Sequence, residues 1–320
     1  MKANLFRFLK VFSLTLLVSC LFIFALLITY IKLSNPLDKL SFNENDNESF
    51  YEDDLDKDSS EATSLEKAVK SSKRINVLVV GLEHVRTDTI MLASFDRETK
   101  EGNIISIPRD TFIDREGYID MSSKKINAIY QTEDIEGIIN VVEKMFQIPI
   151  HKYVTVDYEA VVAGVDALGG VEVDIPIPMK YTDAYDDPPL IIEFKPGKRL
   201  LNGEEALKYL RFRKNDDGTG YVRGDIDRIA AQQDFVKQAL KKMLSLKLPT
   251  LIRDVYPYVK TDFSLTELMA LAVDSVGFTT DKLSTEVVAG YDETVQGVSL
   301  YYPDYEKAVE YTYRLYGLID

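Results

Sequence analysis

Apolar residues form one long uninterrupted run at the start of the chain. From Val11 to Ile31 no residue carries a charge, and the ten residues before it contain three basic side chains and no acid. A helix of this length just covers a hydrocarbon core of about 30 Å, and the basic residues favour a cytoplasmic N-terminus. A cleaved signal peptide is the alternative, but the run is long for one and no small-residue cleavage site follows it. We predict a cytoplasmic tail over residues 1–10, a transmembrane helix over 11–31 and an extracellular remainder.

The next segment is polar and strongly acidic. Between Asp38 and Asp58 there are nine acidic residues and two lysines, with almost no β-branched side chains. Such a segment cannot bury enough apolar surface to fold by itself, and its like charges extend it. We therefore predict an acidic extracellular stalk over residues 32–73.

From Arg74 onward, short apolar runs alternate with segments of helical periodicity, which is typical of a packed α/β domain. No second linker interrupts the pattern, so we expect one extracellular domain over residues 74–320. The predicted strands are Ile75–Gly81, Ile90–Phe95, Gly102–Ile107, Tyr153–Val156, Val171–Ile175, Leu283–Val288 and Val298–Tyr302. The predicted helices are Ile135–Phe146, Tyr158–Leu168, Gly203–Tyr209, Asp225–Leu244, Leu265–Val276 and Pro303–Gly317, and residues 181–189 are predicted to form a polar loop.

Composition narrows the possible functions. The formal net charge of −14 argues against nucleic acid as a partner, because phosphate binding requires a net basic face. The only cysteine, Cys20, lies in the predicted span, so the extracellular part has no thiol for catalysis, disulfides or zinc binding. His84 and His151 are the only histidines, which leaves little for a His-rich metal site or a Ser-His-Asp triad.

The segment Ser106–Thr111, with the sequence SIPRDT, ends a predicted strand. Pro108 cannot donate to a sheet ladder, so the strand should stop there and leave Arg109 at its end. Ligands bind at strand ends in open α/β sheets, and a guanidinium group suits bidentate contact with phosphate. The alternative is a surface ion pair between Arg109 and Asp110.

Two carboxylates follow the first predicted strand. Glu83 and Asp88 lie five residues apart, just after Gly81. Mg²⁺ usually takes one or two protein carboxylates, with substrate phosphates completing its shell. These residues are therefore candidate Mg²⁺ ligands. The alternative is a charged hairpin in which Arg86 pairs with one of them.

Two further groups of polar residues could bind an anion. Lys125 and Asn127 could face a phosphate from a helix start, or they could form a solvated basic turn. If the segment Tyr209–Arg213 is extended, Arg211 and Arg213 share one face. Two adjacent cations suit either an anionic ligand or a partly buried carboxylate.

The predicted long helix carries Arg228 and Gln232 one turn apart, hence on one face. An arginine in the first turn is unfavourable against the helix dipole unless an anion also binds there. The alternative is an ordinary surface arginine. So many cations near predicted loop ends of an acidic protein suggest a site for a polyanion such as pyrophosphate.

Taken in order, these motifs resemble those of the LytR–CpsA–Psr family of cell-wall glycopolymer ligases. The match covers the whole architecture, from the short cytoplasmic tail to the C-terminal domain. The motifs that carry it are Arg86-Thr87-Asp88-Thr89, Ser106–Thr111, Lys125-Ile126-Asn127-Ala128, Tyr209–Arg213, and Asp225-Ile226-Asp227-Arg228 with Gln232-Gln233.

The resemblance implies a fold and an activity. The fold would be α/β, with a central mixed β-sheet flanked by helices in an α-β-α arrangement. The activity would be a Mg²⁺-dependent phosphotransfer at a Gram-positive-type cell membrane. A glycopolymer, such as teichoic acid or capsule, would move from an undecaprenyl-pyrophosphate carrier to peptidoglycan or another cell-wall acceptor.

The resemblance also implies roles for individual residues. Glu83 and Asp88 would bind Mg²⁺, and Asp88 and Arg109 would be catalytic, with Asp88 orienting or deprotonating the acceptor hydroxyl. The prenyl chain would lie in an apolar pocket between sheet and helices. The residues expected to bind the substrate are Arg86, Arg109, Lys125, Asn127, Arg211, Arg213, Arg228 and Gln232.

The chain departs from the family pattern at Glu83, where Asp is usual, and at Asp227 and Ala231, where Gly and Arg are frequent. The last two changes remove one cation and add one anion near the expected phosphates. Two other functions stay open. One is a non-catalytic receptor for a prenyl pyrophosphate or wall polymer, and the other is a prenyl-pyrophosphate hydrolase.

Overall fold

The structure is a computed structural model, and it describes residues 35–39, 59–83, 85–186, 188–245 and 248–319. The strands are β1 (Arg74–Glu83), β2 (Arg86–Asp96), β3 (Gly102–Ile107), β4 (Lys152–Val156), β5 (Val171–Ile175), β6 (Met179–Asp183), β7 (Leu190–Phe194), β8 (Gly197–Leu201), β9 (Lys260–Thr261), β10 (Leu283–Val287), β11 (Gly290–Val295) and β12 (Val298–Pro303). The helices are α1 (Ser59–Ser71), α2 (Ile129–Phe146), α3 (Tyr158–Ala167), α4 (Gly203–Arg211), α5 (Asp225–Ser245), α6 (Leu248–Val255), α7 (Leu265–Asp274) and α8 (Tyr305–Leu315).

The central sheet has the strand order β10-β3-β2-β1-β4-β9. β1, β2 and β3 form an antiparallel meander, in which the polar turn after Asp96 closes on Glu101. β4 and β10 join it parallel to β1 and β3, respectively. The sheet is therefore mixed, and the carboxyl ends of β1, β3, β4 and β10 meet at one edge.

Helices cover both faces of this sheet. On one face, α1, α2 and α8 bury the main core against apolar side chains of β1–β3. On the other face lie α3, α5, α6 and α7. Side chains alternate along a strand, and in β1 Leu78 and Val80 enter the main core while Val79 packs on the opposite side. The expected α-β-α arrangement is confirmed.

Within the described residues, three two-stranded antiparallel sheets accompany the central one, namely β5–β8, β6–β7 and β11–β12. The pairs β5–β8 and β6–β7 share a second core with α4 and α5. Phe212, which follows α4 directly, is fully buried in that core. The end of α4 is thereby fixed, and with it the side chains of Arg211 and Arg213.

Helix α1 contradicts part of the stalk prediction. It lies within residues 32–73, yet Leu65 is 1% exposed and Val69 6% exposed in the main core. The two are four residues apart, so they share one helix face. The rest of the segment is so polar that its composition gives no sign of this single buried face. The folded domain therefore begins before Arg74.

A short turn near the N-terminus, Pro36–Lys39, also packs onto the domain. Leu37 is 2% exposed and lies in a small cluster with Phe263 and α7. Arg97, in the turn between β2 and β3, bridges this segment to α7: its Nη1 donates to Asp38 Oδ1 at 2.8 Å and its Nε to Asp274 Oδ2 at 2.6 Å. This part of the predicted stalk is held against the domain as well.

The predicted cytoplasmic tail, the predicted span over 11–31 and most of the predicted stalk lie outside the described residues. Within the described ranges, no helix is long and apolar enough to cross a membrane.

Two element predictions need correction, and one predicted boundary is confirmed. Residues 181–183 belong to β6 rather than to a polar loop. The predicted helix start at Ile135 is confirmed, because Asp134 has a non-helical backbone (φ 55°, ψ −156°) that separates the predicted helix from a short helical segment beginning at Ile129. α4 continues to Arg211, two residues beyond the predicted end at Tyr209, and Phe212 after it is extended.

Candidate active site

The candidate site lies where β1, β3 and β4 end, and an irregularity in β2 shapes it. Gly81 pairs with Thr89 and Leu82 with Thr87, so Asp88 is an extra residue in β2. Such a β-bulge twists the strand and re-aims the side chain. Gly81 allows the close approach, since a Cβ there would lie 3.0 Å from the Cβ of Thr89.

Asp88 is held by two arginines from distant parts of the chain. Arg109 Nη1 donates to Oδ1 at 2.6 Å, and Arg213 Nη2 donates to Oδ2 at 2.9 Å. Burial alone would raise the pKa of the Asp88 carboxyl. The adjacent Glu83 carboxyl and the two guanidinium groups outweigh burial and lower this pKa to about 2. Asp88 is therefore ionised at physiological pH.

Glu83 is held by a tyrosine and by a third arginine. The Tyr158 hydroxyl donates to Glu83 Oε1 at 2.6 Å, and Arg211 Nη2 donates to the same oxygen at 3.2 Å. Burial and this hydrogen bond raise the pKa of Tyr158, so the phenol keeps its proton and acts as a donor. The Arg211 guanidinium lies 4.7 Å from the centre of the Tyr158 ring.

We call Glu83, Asp88, Arg109, Arg211 and Arg213 the arginine–carboxylate cluster. Guanidinium groups that are already oriented by carboxylates can exchange these partners for phosphate oxygens, which they also bind in a bidentate manner. The cluster is thus suited to a multiply charged phosphate ligand.

The two carboxylates also suit a magnesium ion. They lie next to each other, and one or two protein carboxylates are the usual protein share of a Mg²⁺ shell. Among the described residues, no group of three or more His, Cys, Asp or Glu side chains could hold a metal ion. A metal bound by Glu83 and Asp88 would therefore need substrate oxygens and water to complete its shell.

Lys125 and Asn127 contact the loop that carries Arg109. Lys125 Nζ donates to Asp110 Oδ1 at 3.0 Å, so Asp110 pairs with Lys125, which contradicts the alternative of a surface Arg109–Asp110 pair. The Asn127 backbone N–H donates to the Arg109 carbonyl at 3.2 Å, and the Asn127 side chain is buried. Both residues fix the loop that carries Arg109.

Arg86 does not join the cluster. It lies opposite Glu83 in the register of β1 and β2, but its side chain is exposed. The hairpin pairing of Arg86 with Glu83 or Asp88, which the sequence left open, is not seen, because the arginines of the cluster take both carboxylates.

Arg228 and Gln232 lie in the first turns of α5, facing inward. Arg228 is 4% exposed, so it is not an ordinary surface arginine. Gln232 Nε2 donates to the Leu210 carbonyl at 3.4 Å and connects α5 to the end of α4. The neighbouring Asp227 is bound by Arg223, whose Nε donates to it at 2.7 Å.

An apolar cavity of about 550 Å³ adjoins the cluster, between the sheet and helices α3, α5, α6 and α7. Its walls include Gly81 and Thr89, which flank the bulge at Asp88. They also include Leu210 and Gln232, next to Arg211 and to the helix turn of Arg228. The apolar cavity is thus adjacent to the charged cluster.

Two residues of the site were missed in the sequence. Tyr158 follows Asp157, which caps the N-terminus of α3. A capping residue directly after a predicted strand is a sequence signal that could have pointed to Tyr158 as a site residue. Asp186 accepts a hydrogen bond from Arg211 Nη1 at 2.7 Å. It lies in a polar loop distant from Arg211 in sequence, where no local pattern marks it.

Comparison with known proteins gives a consistent result. The profile of the LytR–CpsA–Psr family matches residues 39–316. The polyisoprenyl-teichoic acid–peptidoglycan teichoic acid transferase TagV of Bacillus subtilis is 32% identical over 241 residues, which are 72% of this chain and 60% of TagV. A TagU transferase of Oceanobacillus iheyensis is 27% identical over 261 residues, 77% of this chain and 76% of that protein.

A solved structure agrees with these sequence relatives. The crystal structure of B. subtilis TagV has a TM-score of 0.64 at 29% identity, covering 76% of this chain and 97% of that one. The shared fold, the family profile and the ordered motifs all lead to one conclusion: the chain belongs to the LytR–CpsA–Psr family.

Proposed function

We propose that this protein is a phosphotransferase that moves a glycopolymer from an undecaprenyl-pyrophosphate carrier to peptidoglycan or another cell-wall acceptor. The observation that carries the proposal is the position of the apolar cavity next to the arginine–carboxylate cluster. A ligand that fills both has a charged phosphate head and a long apolar tail. The transferase names of TagV and TagU support the same assignment.

The pyrophosphate would be held by Arg109, Arg211 and Arg213, with Arg228 and Gln232 at the start of α5. Arginine–phosphate hydrogen bonds neutralise the charge that develops on the leaving group, which is the main requirement of phosphoryl transfer. The prenyl chain would enter the cavity, and this fixes the position of the phosphates relative to the cluster.

In the reaction, an acceptor hydroxyl oxygen attacks the phosphorus that carries the glycopolymer. A new P–O bond forms, the bridging P–O bond of the pyrophosphate breaks, and undecaprenyl phosphate leaves with the bond electrons. Asp88 orients the acceptor hydroxyl or takes its proton. The product is a phosphodiester between polymer and acceptor.

Glu83 and Asp88 would hold Mg²⁺. When bound, the ion supplies positive charge to the phosphate oxygens. Tyr158 keeps Glu83 oriented through its hydroxyl, and the three arginines orient both carboxylates. The site would lie on the outer side of the cell membrane, anchored by the predicted N-terminal span.

The proposal is tested by replacing Arg213 and a matched arginine outside the site. Arg213→Ala removes a guanidinium that is 44% exposed. Arg199→Ala removes one that is 45% exposed and pairs with Glu205, away from the cluster. With a prenyl-pyrophosphate-linked sugar, glycan strands and Mg²⁺, we expect Arg213→Ala to lower kcat/KM by about 100-fold. Arg199→Ala should keep the activity of the unmodified protein.

The products of the same assay separate the alternatives. Sugar joined to the glycan strands, together with free prenyl phosphate and dependence on Mg²⁺, supports the transferase. Free prenyl phosphate with equal amounts of unattached sugar phosphate would instead identify a hydrolase. Tight binding without release of prenyl phosphate would identify a receptor.

A further inference from the structure

A row of aromatic rings runs from the loop after Arg109 to the surface of the β11–β12 hairpin. Phe112 stacks on Tyr302, with ring centroids 5.0 Å apart and planes inclined by 29°. Tyr302 stacks on Tyr291 at 5.5 Å and 16°. We call Phe112, Tyr302 and Tyr291 the aromatic row.

The outer end of the row is open to solvent. Tyr291 is 62% exposed. Because one face of its ring packs on Tyr302, the exposed part includes the opposite face. Tyr291 and Tyr302 are direct cross-strand partners, so the hairpin holds both rings rigidly in this position.

The hairpin is tied to the motif that carries Arg109. Phe112 donates its backbone N–H to the Tyr301 carbonyl at 2.7 Å, and Tyr301 donates to the Asp110 carbonyl at 2.9 Å. Asp110 is the residue next to Arg109. A ligand on the aromatic row is therefore next to the loop of the arginine–carboxylate cluster.

The charges around the row indicate the kind of ligand. Glu293 is exposed and lies two residues after Tyr291, hence on the same side of β11. Lys124 lies 5.7 Å from the centre of the Phe112 ring, but it is engaged by Asp114 at 2.6 Å. A phosphate-rich chain would be repelled by Glu293, whereas sugar hydroxyls can donate to it.

We propose that the aromatic row is a glycan-binding surface on which the sugar rings of the acceptor strand stack. Pyranose rings have apolar C–H faces that pack on aromatic faces, and hydroxyl groups at their edges that bind carboxylates. This proposal rests on the proposed transferase function, because it assigns the acceptor side of the same site. The row would hold the strand beside the loop that carries Arg109.

The absence of tryptophan from the sequence provides a direct test. Tyr291→Trp places the only indole of the protein at the end of the row. Titration with purified, polymer-free peptidoglycan glycan strands should change its fluorescence emission saturably. The matched control is Tyr258→Trp, at a tyrosine that is 44% exposed beside β9 on the other edge of the sheet, whose emission should not change.

A kinetic measurement complements the titration. Tyr291→Ala should raise KM for glycan strands by about fivefold to tenfold, as expected for the loss of one stacking contact. Its affinity for prenyl pyrophosphate should be unchanged. Tyr291→Phe, which keeps the ring, should restore the KM of the unmodified protein.

Three results would overturn the proposal. They are an indole emission that does not respond to glycan strands, an equal response to a sugar-free poly(glycerol phosphate) chain, and a response that depends only on protein concentration and so reports self-association. The fluorescence titration needs no turnover. It therefore stays informative if the protein binds glycan but the proposed transfer fails.

Discussion

At the scale of single residues, the departures from the family pattern have local explanations. The Glu83 carboxylate reaches both the Tyr158 hydroxyl and Arg211, which the extra methylene relative to Asp makes possible. Asp227 is bound by Arg223, one helical turn before it. Arg223 thus neutralises the added negative charge of Asp227, which would oppose phosphate binding if it were unpaired.

Tyr158→Phe isolates the support that Glu83 receives. The variant removes one hydroxyl that donates to a carboxylate and leaves the ring against Arg211. Loss of a hydrogen bond that orients a metal-binding side chain typically costs tenfold or more. We expect kcat/KM for transfer to fall about tenfold in a steady-state assay.

Thermal melting of Tyr158→Phe serves as the control, and the melting temperature should stay within a few degrees of that of the unmodified protein. Full activity at every Mg²⁺ concentration would mean that the Tyr158 hydroxyl has no part in the site.

The sequence predicts site residues where a local rule fixes them. Pro108 ends β3, so Arg109 lies at the strand end as expected. Asp88 lies at the same edge of the sheet, and the two side chains therefore meet. Asp186 obeys no such rule. Its contact with Arg211 joins two loops that are distant in sequence, and only the packing of the second core brings them together.

At the scale of elements, the end of α4 shows how a wrong local prediction can still give the right neighbours. The sequence predicts a helix over Gly203–Tyr209, and it places Arg211 and Arg213 on one face if the segment after Tyr209 is extended. The capping box of Asn202 and Glu205 starts the helix as predicted, but the helix continues to Arg211. Phe212 then turns extended, which aims Arg211 and Arg213 at neighbouring carboxylates all the same.

Strands are predicted well where both faces are buried, as in β1 and β3, because a continuous apolar run has few other interpretations. α1 was missed for the opposite reason. It presents one apolar face, Leu65 and Val69, within a segment whose composition is otherwise that of a solvated linker.

The burial of α1 can be tested with a pair of variants. Leu65→Ala removes a side chain that is 1% exposed in the main core, which should lower the free energy of unfolding by about 2–5 kcal/mol. Lys67→Ala, at an exposed position of the same helix, should change it by less than about 0.5 kcal/mol. Urea unfolding measures both. Equal, small effects would mean that α1 does not belong to the folded domain.

At the scale of the whole molecule, the cavity depends on the space between layers. The sheet and the helices α3, α5, α6 and α7 do not close on each other, and the gap is lined by apolar side chains. A folded protein normally fills such space at the density of an organic crystal. The unfilled volume is consistent with a long apolar ligand that completes the packing.

Filling the cavity should block that ligand without harming the fold. Gly164 lines the cavity from α3, and a Cβ there would meet only Val255 Cγ1, at 3.9 Å. Gly164→Leu should reduce prenyl-phosphate binding at least tenfold in a calorimetric titration, because the side chain occupies the space of the tail.

Gly164→Ala is the matched control. It removes the same helix-interior glycine and should raise the free energy of unfolding by up to about 1 kcal/mol, with prenyl-phosphate binding retained. If both variants bind the lipid equally, the tail lies elsewhere.

The docking of Pro36–Lys39 onto the domain would limit the distance of the domain from a membrane. If the predicted span ends at Ile31, four peptide steps lead to Asn35, which is already buried against the domain. Fully extended, this linker measures about 14 Å. If the proposed function also holds, the domain would reach only acceptor that is newly made or still close to the membrane, and the length of the linker would determine the order of wall assembly.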